Sequence, residues 1–303
     1  YEVKLKEIKL GISLKICLLS PYFPPVINGL SHYSHRFADE LVFQGNSLTV
    51  CCQEGLGEGS GHTVLNFSHW NIFTFLTIFW KLRNSDNERV LIQYVPHMYD
   101  KRGVNFSLPL FIILLRTFSQ IKIDIMFHEL HYPLEPQLKS IVLWFLHHLM
   151  LIPSLWFSHT CFFSTEKYLR KCSLLTGEKK LFFLPVGSNI PRSMSENRSN
   201  DKRKKIILFA GPHPSKDFKF FFLGLQNFKD EFELVFLGTN EIDFEKYYGS
   251  DYQKFHHQFL GKVSDDEVSS VLKNGYCLVA YFTDGLTSRR GSVLAALNNG
   301  LPV

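Results

Sequence analysis

Lys15–Val50, KICLLSPYFPPVINGLSHYSHRFADELVFQGNSLTV, sets the class of the whole chain. Ile16, Cys17, Leu18 and Leu19 form a short unbroken apolar run, which suits a parallel strand buried on both faces. Pro21, Pro24 and Pro25 then stop strand pairing and force an extended loop, because proline carries no donor N–H. Phe37, Leu41 and Phe43 fall near helical spacing, and Asn28 and Gly29 ahead of them read as residues tolerant of positive φ that let a ligand approach the backbone. The segment is therefore a β-α-β unit. Its turn exposes a helix N-terminus at the carboxyl end of a parallel strand, where open α/β sheets bind ligands and free N–H groups favour phosphate. Any parallel α/β domain has such a turn, and one glycine is weaker evidence than a full Gly-x-Gly-x-x-Gly.

The pattern repeats along the chain. NIFTFLTIFWKLRN reads as a helix and RVLIQYV as a third buried strand ending at Pro96. His97, Tyr99, Lys101, Arg102 and Gly103 follow that strand, a cluster able to hold a sugar or a phosphate, although loops are polar in any case. KIDIMFHELHYP is another strand, ending in His128, Glu129 and His131; the spacing is not His-Glu-x-x-His, and three side chains at a strand end do not converge on one ion. LKSIVLWFLHHLMLIPSLWF is read as a helix pair buried against the sheet in preference to a segment lying on a membrane surface, since it lacks a lysine-rich polar face. Ser164 and Thr165 are expected helix caps. The Gly-rich Glu54–His62 has no Lys-Ser/Thr ending, so it is not a P-loop.

Pro191–Lys205, PRSMSENRSNDKRKK, is polar, charged and without periodicity, and it reads as a linker. The expected organisation is an N-terminal domain over residues 1–190, a linker over 191–204 and a second domain over 205–303. The strand-loop-helix pattern restarts with KIILFA, GPHPSK and FKFFFLGLQNF, continues with the strand FELVFLG and a polar excursion to Tyr252, then a helix with Ser264 and Glu267 as a capping box, and the strand YCLVAYF.

With 33 Lys and Arg against 28 Asp and Glu, the net charge of +5 suits anionic phosphates or lipid headgroups and is too diffuse to argue for nucleic acid. The six cysteines form no Cys-x-x-Cys pair, so buried reduced thiols are expected in place of zinc or disulfides. The opening YEVKLKEIKL lacks the pattern of a signal peptide, and the sequence, which does not begin with Met, is read as starting inside a longer protein. With reduced thiols, a cytoplasmic location is expected, extending to the inner face of the membrane.

SPYFPPVINGLSHYSHRFADEL resembles the opening loop and helix of family 4 glycosyltransferases of the GT-B architecture, with Asn28 where that family usually has the first glycine of a pair. QYVP followed by Gly103 and Asn105, the strand ending at His128, LFFLPVGSNIP, and the terminal DGLTSRRGSVLAALNNGLPV resemble the same family, in the same order. The resemblance implies an α/β fold with two facing Rossmann-like domains and mainly parallel sheets, and further β-α units after Val303, so the second domain is expected to be truncated. It implies a metal-independent, retaining transfer of a sugar from a nucleotide-sugar donor to a saccharide or lipid-linked acceptor, in glycan, polysaccharide or glycolipid synthesis, with no cofactor.

Transfer passes through an oxocarbenium-like transition state while negative charge builds on the departing diphosphate, and without a metal that charge needs fixed cations and N–H groups. No Asp-x-Asp occurs to hold a divalent ion. Arg289 and Arg290 lie at an expected helix N-terminus with Gly291 and Ser292, a suitable anion site. By resemblance Lys216 is the second cation, in GPHPSK after Gly211, while Pro212 stands where the family has arginine. Asp284 stands near the family's first glutamate, and Ala295 replaces the second, which commonly binds the ribose. The expected donor side is thus Gly211, Lys216, Asp284, Arg289, Arg290 and Ser292; the acceptor side is Gly29, His97 and Glu129; His128, Lys216 and Asp284 are the expected catalytic groups. Pro212 and Ala295 keep open a second reading, a catalytically degenerate GT-B protein acting as a binding or partner subunit. A third, an epimerase of the same architecture, needs paired carboxylates and histidines across the cleft.

Overall fold

The computed structural model describes residues 13–26, 28–53, 61–131, 134–176, 180–193, 203–209, 218–282 and 286–303. The chain divides into two compact units, Tyr1–Pro185 and Val186–Val303.

The first unit alternates strand and helix: β1 (Lys15–Leu19), α1 (Gly29–Phe43), β2 (Ser47–Cys52), β3 (His62–Asn66), α2 (Ile72–Arg83), β4 (Arg89–Tyr94), the short α3 (Pro96–Tyr99), α4 (Ser107–Phe118), β5 (Lys122–Phe127), α5 (Leu138–Phe157), β6 (Thr160–Phe163), α6 (Glu166–Thr176) and β7 (Leu181–Phe183). Its seven strands lie in the order β3-β2-β1-β4-β5-β6-β7, and every pairing is parallel. The chain winds one way from β1 through β2 to β3, then crosses to the other side of β1 to lay down β4. β1 is buried on both faces, which is why its sequence does not alternate. Cys17 and Leu19 join the cluster formed with α2, α4 and α5, whereas Ile16 and Leu18 pack with Phe23 and with Ala38 of α1.

The second unit contains β8 (Lys204–Phe209), α7 (Lys219–Leu225), β9 (Phe232–Leu237), α8 (Glu241–Tyr248), β10 (His256–Gly261), α9 (Asp265–Asn274), β11 (Cys277–Val279) and α10 (Gly291–Asn298). Its strands are parallel in the order β10-β9-β8-β11. Alternate residues again serve opposite cores: Ile206 and Leu208 meet Phe222, Phe236 and Phe244, while Ile207 meets Val235, Val268 and Leu272. The segment before β8 packs here too, since Asn298 Nδ2 donates to Ile190 O at 3.2 Å and Ser269 Oγ to Pro191 O at 2.6 Å. Val186–Ile190, assigned to the N-terminal side by sequence, thus falls in the second unit; residues 194–202 of the expected linker lie outside the described residues.

Two strands escaped the sequence reading. β3 borders β2 at the edge of its sheet with only partly covered side chains, and β10, HHQFLG, also carries no buried residue, so neither has a strong apolar signature. The polar excursion before Tyr252 contains α8, whose Asn240 cap accepts from Asp243 N at 2.8 Å. The expected helix pair over 138–157 is one continuous 20-residue helix with Pro153 inside it, and only one of its sides is buried. Cys17, Cys51, Cys52, Cys161 and Cys172 are buried free thiols, and Cys277 is free and half-buried.

Candidate functional site

The reversal of strand order between β1 and β4 opens a crevice at the carboxyl ends of those strands, the place where a doubly wound sheet binds ligands. Four segments meet there: the loop after β1, the start of α1, the Val95–Val104 connection after β4, and His128 after β5.

The loop after β1 is tied down by hydroxyls. Ser20, fully buried at the strand end, donates to Tyr22 O and shares a 2.8 Å hydrogen bond with Ser34 Oγ of α1. The Pro24–Pro25 peptide bond is cis. Asn28 caps α1: its Oδ1 accepts from Ser31 N at 2.9 Å, with φ −155°. The tolerance of positive φ expected of Asn28 and Gly29 is therefore not used. Both have ordinary backbone, because the cap geometry needs an extended residue followed by helix. Gly29 still leaves room, since a Cβ built on it meets nothing within 4 Å. One of the helix's unpaired N–H groups is already taken by Asn28, which leaves fewer for an anion.

His128 is held on two sides. Its Nε2 lies 2.7 Å from Oε1 of Gln93, a fully buried residue of β4, and its ring stands edge-on to Tyr33 of α1 at 4.8 Å between centroids. With the Gln93 oxygen as acceptor, the proton sits on Nε2. The backbone is fixed as well, since His128 N donates to Tyr94 O and Ser164 Oγ donates to His128 O. Burial pushes the Tyr33 phenol up to about 12, so Tyr33 stays neutral at any physiological pH. Glu129 is half-buried beside His128, while His131 turns away to Trp144 and His148, 4.6 Å between the histidine rings. Among the described residues no three His, Cys, Asp or Glu side chains are grouped to hold a metal.

The connection after β4 forms one wall of a cavity of about 600 Å³, completed by Tyr22, Gln53, His69, Trp70 and Asn71. Lys101 and Arg102 bring positive charge to it, His97 adds an imidazole, and Trp70 and Tyr99 supply aromatic surface. Gly103 is obligatory in this connection: its φ is +72°, and a Cβ would lie 2.8 Å from the His147 ring and 3.0 Å from His97. Asn105, buried, ties the wall together by donating to Trp70 O and Tyr99 O and accepting from Ser107 N. A second hollow, between Leu14, Arg83, Arg89 and Lys122, lies at the amino ends of the strands, away from the crevice.

In the second unit Arg289, Arg290 and Ser292 are half-buried at the start of α10. Arg290 is the N-cap residue, and its guanidinium lies over the Phe282 ring at 4.3 Å, which fixes the cation beside the helix N-terminus. A side chain added at Gly291 would meet nothing within 4 Å. Ala295 points into the core with Ile207 and Leu278, fully buried, so a carboxylate is absent there and its space is filled by apolar packing. Gly211, Lys216 and Asp284 lie outside the described residues, as does most of Glu54–His62.

The structure thus brings His97 to the cavity wall and His128 and Gly29 to the crevice. Sequence reasoning missed Gln93, Ser20, Tyr33 and Trp70. Gln93 was detectable as the amide side chain that interrupts the otherwise apolar or aromatic run Val90–Val95.

No family model and no curated protein sequence matches the chain. Solved structures do. Anabaena HepE, in complex with UDP and glucose, superposes with a TM-score of 0.61 at 10% identity, covering 96% of this chain and 80% of that one. The lipopolysaccharide outer core galactosyltransferase WaaB gives 0.54 at 11% identity over 95% of this chain and 79% of its own. The glycotransferase of kitacinnamycin gives 0.54 at 13% identity, over 96% and 79%. The fold is GT-B. Identities this low carry the fold and leave the chemistry to the residues. The crevice of the first unit and the start of α10 in the second both offer polar groups on the carboxyl side of parallel strands.

Proposed function

We propose that the protein is a glycosyltransferase that moves a sugar from a nucleotide-sugar donor to an acceptor hydroxyl. The observation that carries this reading is the cationic start of α10, Arg290 braced on Phe282, within a fold whose solved neighbours include a complex with UDP and glucose. The C1–O bond to the donor's terminal phosphate breaks, a bond from the acceptor oxygen to C1 forms, and the acceptor's proton leaves with the diphosphate. Arg289, Arg290, Ser292 and the N–H groups of α10 meet the charge that develops on the departing oxygen, with Lys216, Gly211 and Asp284 completing the donor side. His128, its Nε2 proton fixed by Gln93, serves as a hydrogen-bonding group toward the transferred sugar, and Gly29, His97 and Glu129 line the acceptor side. The reaction is read as metal-independent and retaining, of hexosyl type, in glycan, polysaccharide or glycolipid synthesis, and located in the cytoplasm.

The test is nucleotide release from UDP-, GDP- and ADP-sugars, with Arg290→Ala and Lys216→Ala beside the native chain. Release from one donor, reduced about 100-fold in both variants, supports the transferase; removal of a single oxyanion-stabilising group has that order of effect. The apolar burial of Ala295 favours the second reading, a binding subunit without turnover. A folded chain that binds a nucleotide sugar and releases nothing would establish it.

A further inference from the structure

α5 is apolar on every side, yet the fold covers only one of them. Ser140, His147, Met150, Leu151, Ser154 and Leu155 are buried, and Leu151 and Leu155 belong to the core on the sheet. Leu138, Ile141, Val142, Phe145, Leu149 and Trp156 are 43–77% exposed. These six recur at helical spacing and form one stripe along a helix of about 30 Å, at 1.5 Å per residue. Exposed apolar surface on this scale marks an interaction site. Phe106 and Leu110, at the start of the neighbouring α4, are exposed as well.

The stripe has a charged edge. A groove of about 760 Å³ runs beside the first half of α5, its apolar floor made by Leu138, Val142, Leu143 and Leu146 and its polar groups being His97, Lys101, Arg102 and Lys139. Among the described residues no carboxylate lines it, and neither α4 nor α5 contains an Asp or Glu. Asp100 and Glu135 stand nearby, outside the lining; Asp100 accepts from Arg102 N.

We propose that this face docks on an anionic phospholipid bilayer. α5 lies in the interface plane, its exposed stripe reaches the acyl chains, and Lys101, Arg102 and Lys139 meet headgroup phosphates. The helix is long and apolar enough to cross a membrane by composition, but crossing would pull Leu151 and Leu155 out of the sheet core and place Ser140, His147 and Ser154 in hydrocarbon. Lying on the surface leaves the core intact. A second copy of the chain fits less well, because an isologous interface sets the same cationic groove lining against itself, with carboxylates only at its margin, Asp100 and Glu135. The docking does not rest on the transferase reading. It does place the 600 Å³ cavity beside lipid, since that cavity and the groove share His97, Lys101 and Arg102.

The experiment is co-sedimentation of the full chain with vesicles of phosphatidylcholine alone and of phosphatidylcholine mixed with phosphatidylglycerol, at low and high salt. The expected result is a partition at least about tenfold higher onto the anionic vesicles, weakened by salt and by Lys139→Ala, as for one apolar face acting with a few basic residues. The double variant Phe145→Glu/Leu149→Glu should abolish it with an unchanged melting temperature, because both side chains are exposed. Equal partition onto both vesicle types, or undiminished binding by a folded double variant, overturns the proposal. So does concentration-dependent self-association of the native chain that the same double variant removes.

Discussion

Replacing Gln93 by leucine should separate what His128 requires from what the sheet requires. Gln93 is fully buried in β4, its Oε1 is 2.7 Å from His128 Nε2, and its own Nε2 is buried with no hydrogen-bond partner among the described residues. Removing the acceptor strands a nearly buried histidine N–H, which costs about 1–3 kcal/mol. The same change removes a buried amide NH2 that already lacks a partner, a penalty of about 1–3 kcal/mol in the opposite direction. The two terms nearly cancel, so urea unfolding of Gln93→Leu should stay within about 1 kcal/mol of the native value. The effect on His128 does not cancel. A neutral hydrogen bond is worth about 1 kcal/mol net, so the ratio of the two ring tautomers should move roughly fivefold away from Nε2–H. Ring nitrogen shifts measured by NMR would show it, and donor turnover should fall by up to about fivefold in parallel, since it follows the fraction of the ring in the required tautomer. A variant destabilised by about 3 kcal/mol or more, with His128 shifts unchanged, would refute the assignment and leave Gln93 as ordinary core structure.

Three further outcomes follow from the geometry. Gly103→Ala combines a left-handed φ with contacts of 2.8–3.0 Å to His147 and His97, so chemical denaturation should show a loss of about 2–3 kcal/mol. Ser264→Ala removes a capping box in which Ser264 Oγ accepts from Glu267 N and Glu267 Oε2 accepts from Ser264 N; it should cost about 1 kcal/mol by the same assay, with α9 fraying first in hydrogen exchange. His147 is held below the ordinary histidine value by burial, with His97, His131 and His148 adding to the effect and a backbone hydrogen bond at Arg102 opposing it. His159 is lowered by burial and by Arg116. Such groups bind more protons when unfolded, so their contribution to stability is present above the unfolded value of about 6.5 and is lost as pH falls through the lower folded values. Melting temperature should therefore drop on acidification below about pH 6.5, and drop less in His147→Leu.

What local chemistry could specify, the sequence specified. Ile16–Leu19 is an unbroken apolar run because a central parallel strand has no wet face, and Ser264-x-x-Glu267 closes its cap within four residues. Those signals, repeated in order, were enough for a parallel α/β chain in two units and for the crevice at the end of β1. Other features depend on partners far away in the chain. Nothing in RVLIQYV says that Gln93 meets His128, 35 residues on, because that contact exists only once β4 and β5 pair in register. Asn28 next to Gly29 looks like a flexible pair until the position of Ser31 makes Asn28 a cap. α5 is apolar all round, so its periodicity cannot say which side is covered; the sheet and α4 decide that, and they leave the stripe from Leu138 to Trp156 bare. Sequence determines the elements because their signals lie within a turn or two of backbone. The tertiary structure alone decides which polar group is buried beside which, and which apolar face stays open, because both depend on strand order and register.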